Sequence, residues 1–113
     1  MTKKYTIAYA KEAYEDLKAI YAYIAEKLVE PAIAAKQVDR IRIAVRGLES
    51  MPNRCAVVPW EPWVSMGIRK LIVDNYIVFY LVDEVAQRVS VIRIAYRGRD
   101  MESVLGEQTQ EDG

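Results

Sequence analysis

An α+β domain, with a helical hairpin packed on an antiparallel sheet in the order β-α-α-β-β-β, is what this sequence of 113 residues predicts. Three observations point there. Apolar residues recur at three- and four-residue steps from Lys11 to about Glu49, divided at Pro31. From Ile68 to Ala95 the pattern changes to three runs rich in Val, Ile and Tyr, the usual composition of strands. Asp74-Asn75 separates the first two runs as a two-residue hairpin turn, since both residue types tolerate positive φ.

Lys4–Tyr9 (KYTIAY) opens the domain as a short strand carrying Tyr5, Ile7 and Tyr9 on one face. A helix follows from about Lys11 to Leu28, with Tyr14, Leu17, Ile20, Ile24 and Leu28 on one stripe. Pro31 suits the first turn of a second helix, where its missing N–H would have no intrahelical acceptor anyway. That helix runs to about Glu49 on a stripe of Ala34, Val38, Ile41, Val45 and Leu48. Its Lys36, Arg40, Arg42 and Arg46 read as a solvated outer face. The very short connection folds the two helices into an antiparallel hairpin.

Met51 to Met66 loses all periodicity, with Pro52, Pro59 and Pro62 dividing it. Trp60 and Trp63 in the PWEPW segment fold over the apolar sheet, or else reach out to a partner. The strands then run Ile68–Val73, Tyr76–Val82 and Arg88–Ala95. In the middle one Tyr76, Val78 and Tyr80 point one way and Ile77, Phe79 and Leu81 the other. Apolar groups on both faces mark a central strand that is covered, or bound, on both sides. Arg93 opposes Ile92 and Ile94 and marks the open face of the sheet. A short helix from Met101 to Leu105 closes a single domain over residues 1–105. The remaining 106–113 (GEQTQEDG) has no apolar anchor and reads as a disordered acidic tail.

Composition narrows the chemistry. Sixteen basic and sixteen acidic residues cancel, yet Glu107, Glu111 and Asp112 all lie in the tail, so the body carries +3. That charge is too small to argue nucleic-acid binding by itself. The chain has no histidine, which removes a Ser-His-Asp triad, a Cys-His pair and histidine-ligated zinc. Its one cysteine, Cys55, excludes an internal disulfide, fits a reducing compartment and has no histidine to activate it. No apolar leader opens the chain, and the longest uncharged apolar run, Tyr76–Val82, is too short to span a bilayer. The expectation is a soluble cytoplasmic protein that needs no metal or cofactor and no membrane.

Tyr96, Arg97 and Arg99 gather where the last strand stops, which makes a candidate site for an anionic partner. Arg69 and Lys70 alternate across a strand, so at most one of them shares a face with that site. Asp100 or Glu102 could equally pair with Arg97 and Arg99 on the surface, an arrangement worth about 0–1 kcal/mol.

The order of elements and several segments resemble the RelE/ParE superfamily of bacterial type II toxins, each encoded beside an antitoxin. The resemblance covers roughly Tyr5 to Leu105. It is carried by GIRKLIVDNYIVFYLVDE and VSVIRIAYRGRD, where the family shows G-x-R-x-L, Y-x-x-F-Y and a final (Y/H)-x-x-R-D. EPWVSMGIRK looks like one branch of such toxins.

The resemblance implies two mechanisms. RelE-like members are metal-independent endoribonucleases that cut ribosome-bound mRNA. In-line attack of the ribose 2′-hydroxyl needs a base, an acid and positive charge at the phosphorane. Lys70 and Arg97 match family positions for that task, with Tyr96 and Arg99 beside them. Two departures oppose it: the arginine that follows the strand-opening tyrosine is Ile77, and the late tyrosine falls near Ser103. ParE-like members instead bind DNA gyrase and trap it on cleaved DNA, and the Tyr76–Tyr80 strand and the Tyr96-x-x-Arg99-Asp100 ending are at least as close to them. The expected function is therefore a growth-arresting, plasmid-stabilising toxin neutralised by a cognate antitoxin, with gyrase inhibition ahead of the mRNA interferase. An inactive toxin-fold binding module is the third reading. Arg69, Arg93, Trp60 and Trp63 are the candidate contacts for target or antitoxin. A dimer and a toxin-antitoxin heterotetramer both fit the family.

Overall fold

The structure, a computed structural model, describes residues 4–97. Its elements are β1 (Thr6–Tyr9), α1 (Lys11–Ala22), α2 (Pro31–Arg46), a short α3 (Trp63–Met66), β2 (Arg69–Val73), β3 (Tyr76–Asp83) and β4 (Arg88–Tyr96). The α+β class and the helical hairpin are as expected. The expected helix from Met101 to Leu105, the tail 106–113 and Arg99 lie outside the described residues.

The strands lie in the order β1-β4-β3-β2. The meander β2-β3-β4 is antiparallel, with Val73 opposite Tyr76 and Tyr76 opposite Tyr96. β1 is the exception to a wholly antiparallel sheet: it runs parallel to β4, Thr6 opposite Arg88 and Tyr9 opposite Val91. Two helices intervene between β1 and the meander, and a crossover of that length permits parallel pairing.

The hairpin covers one face of the sheet. Leu17, Ile41 and Val45 pack there against Val78, Tyr80, Val89 and Val91. On the other face Val58, Trp63 and Ile68 cover Ile77, Phe79 and Ala95. β3 is therefore buried on both sides, as its two apolar faces required. Each such side chain contributes about 1.5–3 kcal/mol by leaving water.

Three local features depart from the sequence reading. α1 runs on through Tyr23–Lys27 as a π-helical turn, in which the Leu28 N–H donates to the Tyr23 carbonyl. The chain then reverses at Val29 with φ of 54°, a left-handed conformation that β-branched residues seldom adopt. Within the proline-rich stretch, Trp63–Met66 forms a turn of helix ended by Gly67 at φ 78°, where glycine is the natural residue. Finally, the register of β3 against β4 slips at Phe79/Tyr80: Phe79 opposes Arg93 while Tyr80 opposes Val91. Ile92 is the extra residue of this bulge, so Ile92 packs with the Trp63 cluster and Ile94 with the helices. Simple alternation had put those two isoleucines on one face. No helix among the described residues is long and apolar enough to cross a membrane.

Candidate partner-binding groove

Because β1 stops opposite Val91, the rest of β4 is paired with β3 alone and has no strand on its other edge. α1 takes that place. The Asp16 carboxylate accepts the Ile94 N–H at 2.9 Å and the Arg93 guanidinium at 2.9 Å, so it satisfies a backbone donor that a neighbouring strand would otherwise hold. Arg93 is thus an ion-paired, largely covered residue, with side-chain exposure of 15%. It does not mark an open face.

Beyond Asp16 the hairpin and the sheet diverge, leaving a groove of about 660 Å³. Ile20 and Ile24 line one side, Leu28 and Ile33 the hairpin end, and Tyr76 with Tyr96 the sheet. The two tyrosine rings meet edge to face with centroids 5.8 Å apart. Burial raises the pKa of Tyr76, helped by the neighbouring Tyr96 and Tyr23 phenols. Tyr23, Leu28, Ile33 and Tyr96 are each at least half exposed. Large apolar groups left in water together mark a surface that meets something.

The rim by the β2-β3 turn is fixed by a clamp that sequence patterning missed. Asp74 accepts Arg40 Nε at 2.8 Å and an Arg40 terminal nitrogen at 2.7 Å, and Gln37 at 3.1 Å. These bonds, Arg40 first, lower the Asp74 pKa. Arg40 belongs to the supposedly free basic face of α2. Arg97 follows at the same rim, exposed, its N–H donating to the Asn75 carbonyl at 2.7 Å.

The other candidate residues do not converge there. Lys70 shares the face of Ile68 and the Trp63 cluster, whereas Tyr96 lines the groove on the helical face. Lys70 lies at the register of Phe79 and Arg97 at that of Asn75, about four residues or ~13 Å apart along the strands. Arg69 donates to the carbonyls of Asn53 (3.3 Å) and Cys55, so it pins the loop. Trp63 is buried, edge-on to Phe79 with centroids 6.2 Å apart. Trp60 is partly buried in the same cluster. Among the described residues no group of His, Cys, Asp and Glu could hold a metal.

A family model for the ParE toxin of the type II toxin-antitoxin system parDE matches residues 7–101. The chain belongs to the ParE toxin family. This ParE-family chain is similar in structure to the chromosomal ParDE system of P. aeruginosa, with a TM-score of 0.67 and 26% identity over 82% of this chain and 96% of that one. It shares its fold with the RelBE2 toxin-antitoxin complex of Mycobacterium tuberculosis (TM-score 0.60, 21% identity, 83% and 99% covered). The same holds for the isolated RelE toxin of E. coli (TM-score 0.53, 16% identity, 93% and 97% covered). The comparison with curated proteins yields no match.

A second polar cluster ties the opposite end of the ParE-family sheet together. Glu84, in the β3-β4 turn, accepts the Tyr5 hydroxyl at 2.5 Å and Asn53 at 2.9 Å, which lowers its pKa. The Tyr80 hydroxyl donates to the Pro52 carbonyl at 2.6 Å, and burial raises its pKa. Asp16 had a faint signal, as a carboxylate between the core residues Ala13 and Leu17. The Glu84 cluster had none, since its members are scattered along the chain.

Proposed function

We propose that this chain arrests growth in the cytoplasm by binding DNA gyrase, and that a cognate antitoxin holds it inactive by laying an apolar segment into the groove between the helical hairpin and β4. Membership of the ParE toxin family supports the first part. The P. aeruginosa relative is described as a ParDE toxin-antitoxin system, which supports the second. The observation that carries the choice of target is the opposite facing of Lys70 and Tyr96. An RNA-cleaving site needs its acid, its base and its cations around one phosphate. These two side chains stand on opposite faces of the sheet, and the Lys70 face carries Trp63 and its neighbours. A protein-binding toxin has no such requirement.

An amphipathic segment in an apolar groove is a recurrent recognition mode, in which anchors three and four residues apart supply the contact. The exposed Leu28, Ile33 and Tyr96 offer such anchors a seat. Induction of the chain in cells, with transcript ends mapped and the SOS response followed, tests the target. An SOS response with intact transcripts is the expected result. New cuts at in-frame codons would establish the ribonuclease instead, and undiminished colony counts an inert module.

A further inference from the structure

We propose that a cleft between β1 and the C-terminal half of α2 binds a single hydrogen-phosphate anion. The cleft measures about 110 Å³ and is lined by Ile7, Tyr9, Arg42, Val45, Arg46 and Glu49. It shares no residue with the partner-binding groove. Arg42 and Arg46 are both exposed and stand one helical turn apart on α2, so they meet the cleft side by side. Among the described residues Arg40 is held by Asp74 and Arg93 by Asp16, whereas Arg42 and Arg46 have no acid within ion-pair distance. Two like charges at that spacing destabilise a helix, and an anion between them relieves the repulsion. The negative end of the helix dipole accounts for Arg46 in the last turn of α2, but not for Arg42 a turn earlier.

Hydrogen-bond donors converge on the same place. Burial raises the Tyr9 pKa against the opposing charges of Arg42 and Arg46, so both cations sit by a phenol that keeps its proton at neutral pH. The Thr6 and Ala10 amides donate to Gln87 and Val91 on the β4 side, and the Tyr5 amide donates the other way, to the Glu49 carbonyl. Strand alternation puts the Ile7 and Tyr9 amides on that outward side as well. Guanidinium forks beside a phenol match the oxygens of a tetrahedral oxyanion. Glu49 decides which oxyanion fits. Its carboxylate repels an anion that carries no proton, but accepts a hydrogen bond from the P–OH of hydrogen phosphate. Sulfate and the phosphodiesters of nucleic acid have no such proton at neutral pH. A cleft this small also holds one phosphate rather than a strand.

Titration of the purified full chain with inorganic phosphate, at neutral pH and constant ionic strength, tests the site through the Tyr9 ring resonances in nuclear magnetic resonance. The expected result is a saturable shift that sulfate reproduces only at about tenfold higher concentration. Arg42→Ala with Arg46→Ala should weaken phosphate binding by about tenfold or more, while Lys36→Ala on the same helix leaves it unchanged. Glu49→Gln keeps the backbone bond to Tyr5 and should narrow the gap between phosphate and sulfate. A shift that rises without saturating would overturn the proposal, as would equal affinity for sulfate or phosphate binding that survives the loss of both arginines. Tighter binding of a short single-stranded oligodeoxynucleotide at the same resonances would assign the cleft to a nucleic-acid backbone and overturn it too.

Discussion

Asp16 of α1 and Arg93 of β4 form an ion pair at 2.9 Å, and the same carboxylate caps the Ile94 N–H at the end of the sheet. One side chain thereby holds helix to strand at the point where β1 runs out and the groove begins. Replacing Asp16 by Ala leaves a guanidinium and a backbone N–H without their partner in a largely covered place. A loss of about 2–3 kcal/mol is expected in urea unfolding, below a fully buried pair because both side chains keep some water contact. Adding Arg93→Met should restore part of it. A double variant no more stable than Asp16→Ala would show that the pair is not the main contact.

Trp63 closes the second face of the sheet against Phe79. Trp63→Ala should lose about 3–5 kcal/mol, as expected for removing a buried indole. Trp60→Ala, only partly buried, should lose clearly less. Equal losses in thermal unfolding would contradict the assignment of Trp63 as the core member of the pair.

Val29 carries the positive φ of 54° that ends the first helix of the hairpin, and it is 75% exposed. Relief of left-handed strain outweighs the greater chain entropy of glycine there. Val29→Gly is expected to raise stability by up to about 1 kcal/mol. A lower urea midpoint would contradict the strain.

Asp74 and Glu84 have lowered pKa values, from the Arg40 and Gln37 bonds in one case and the Tyr5 and Asn53 bonds in the other. Folded-state values below the unfolded ones mean that both contributions are complete above the ordinary carboxylate range and are lost as pH falls through the folded values. The melting temperature should therefore fall from about pH 5 towards pH 3. Asp74→Asn should flatten part of that slope, and an unchanged slope would remove Asp74 from the account.

Most of the fold was legible because it rests on local period. Leu17, Ile41 and Val45 repeat at helical steps, and Ile77 to Tyr80 alternate over two apolar faces. The bulge at Ile92 was not legible, because one extra residue inverts the faces of everything after it without altering composition. That slip is why Arg93 looked open and proved paired. Nor was the Asp74 clamp legible: its partners come from α2, and no local spacing encodes a contact across 34 positions. The candidate site divides the same way. Arg97 is exposed beyond the end of β4, whereas Lys70 and Tyr96 occupy different faces because of strand parity and the bulge together.

Among the described residues the exposed Arg97 side chain makes no hydrogen bond or ion pair, and its backbone N–H bond to Asn75 would survive substitution. Arg97→Ala with Arg99→Ala should leave the melting temperature nearly unchanged and abolish growth arrest on induction. Full toxicity in the doubly substituted chain would put the target contact elsewhere.

The most direct measurement is purified chain incubated with DNA gyrase, ATP and relaxed plasmid. Gyrase-dependent linear plasmid, with supercoiling suppressed, is the predicted result. Normal supercoiling by gyrase, together with cleavage of ribosome-bound mRNA by the same preparation, would contradict it.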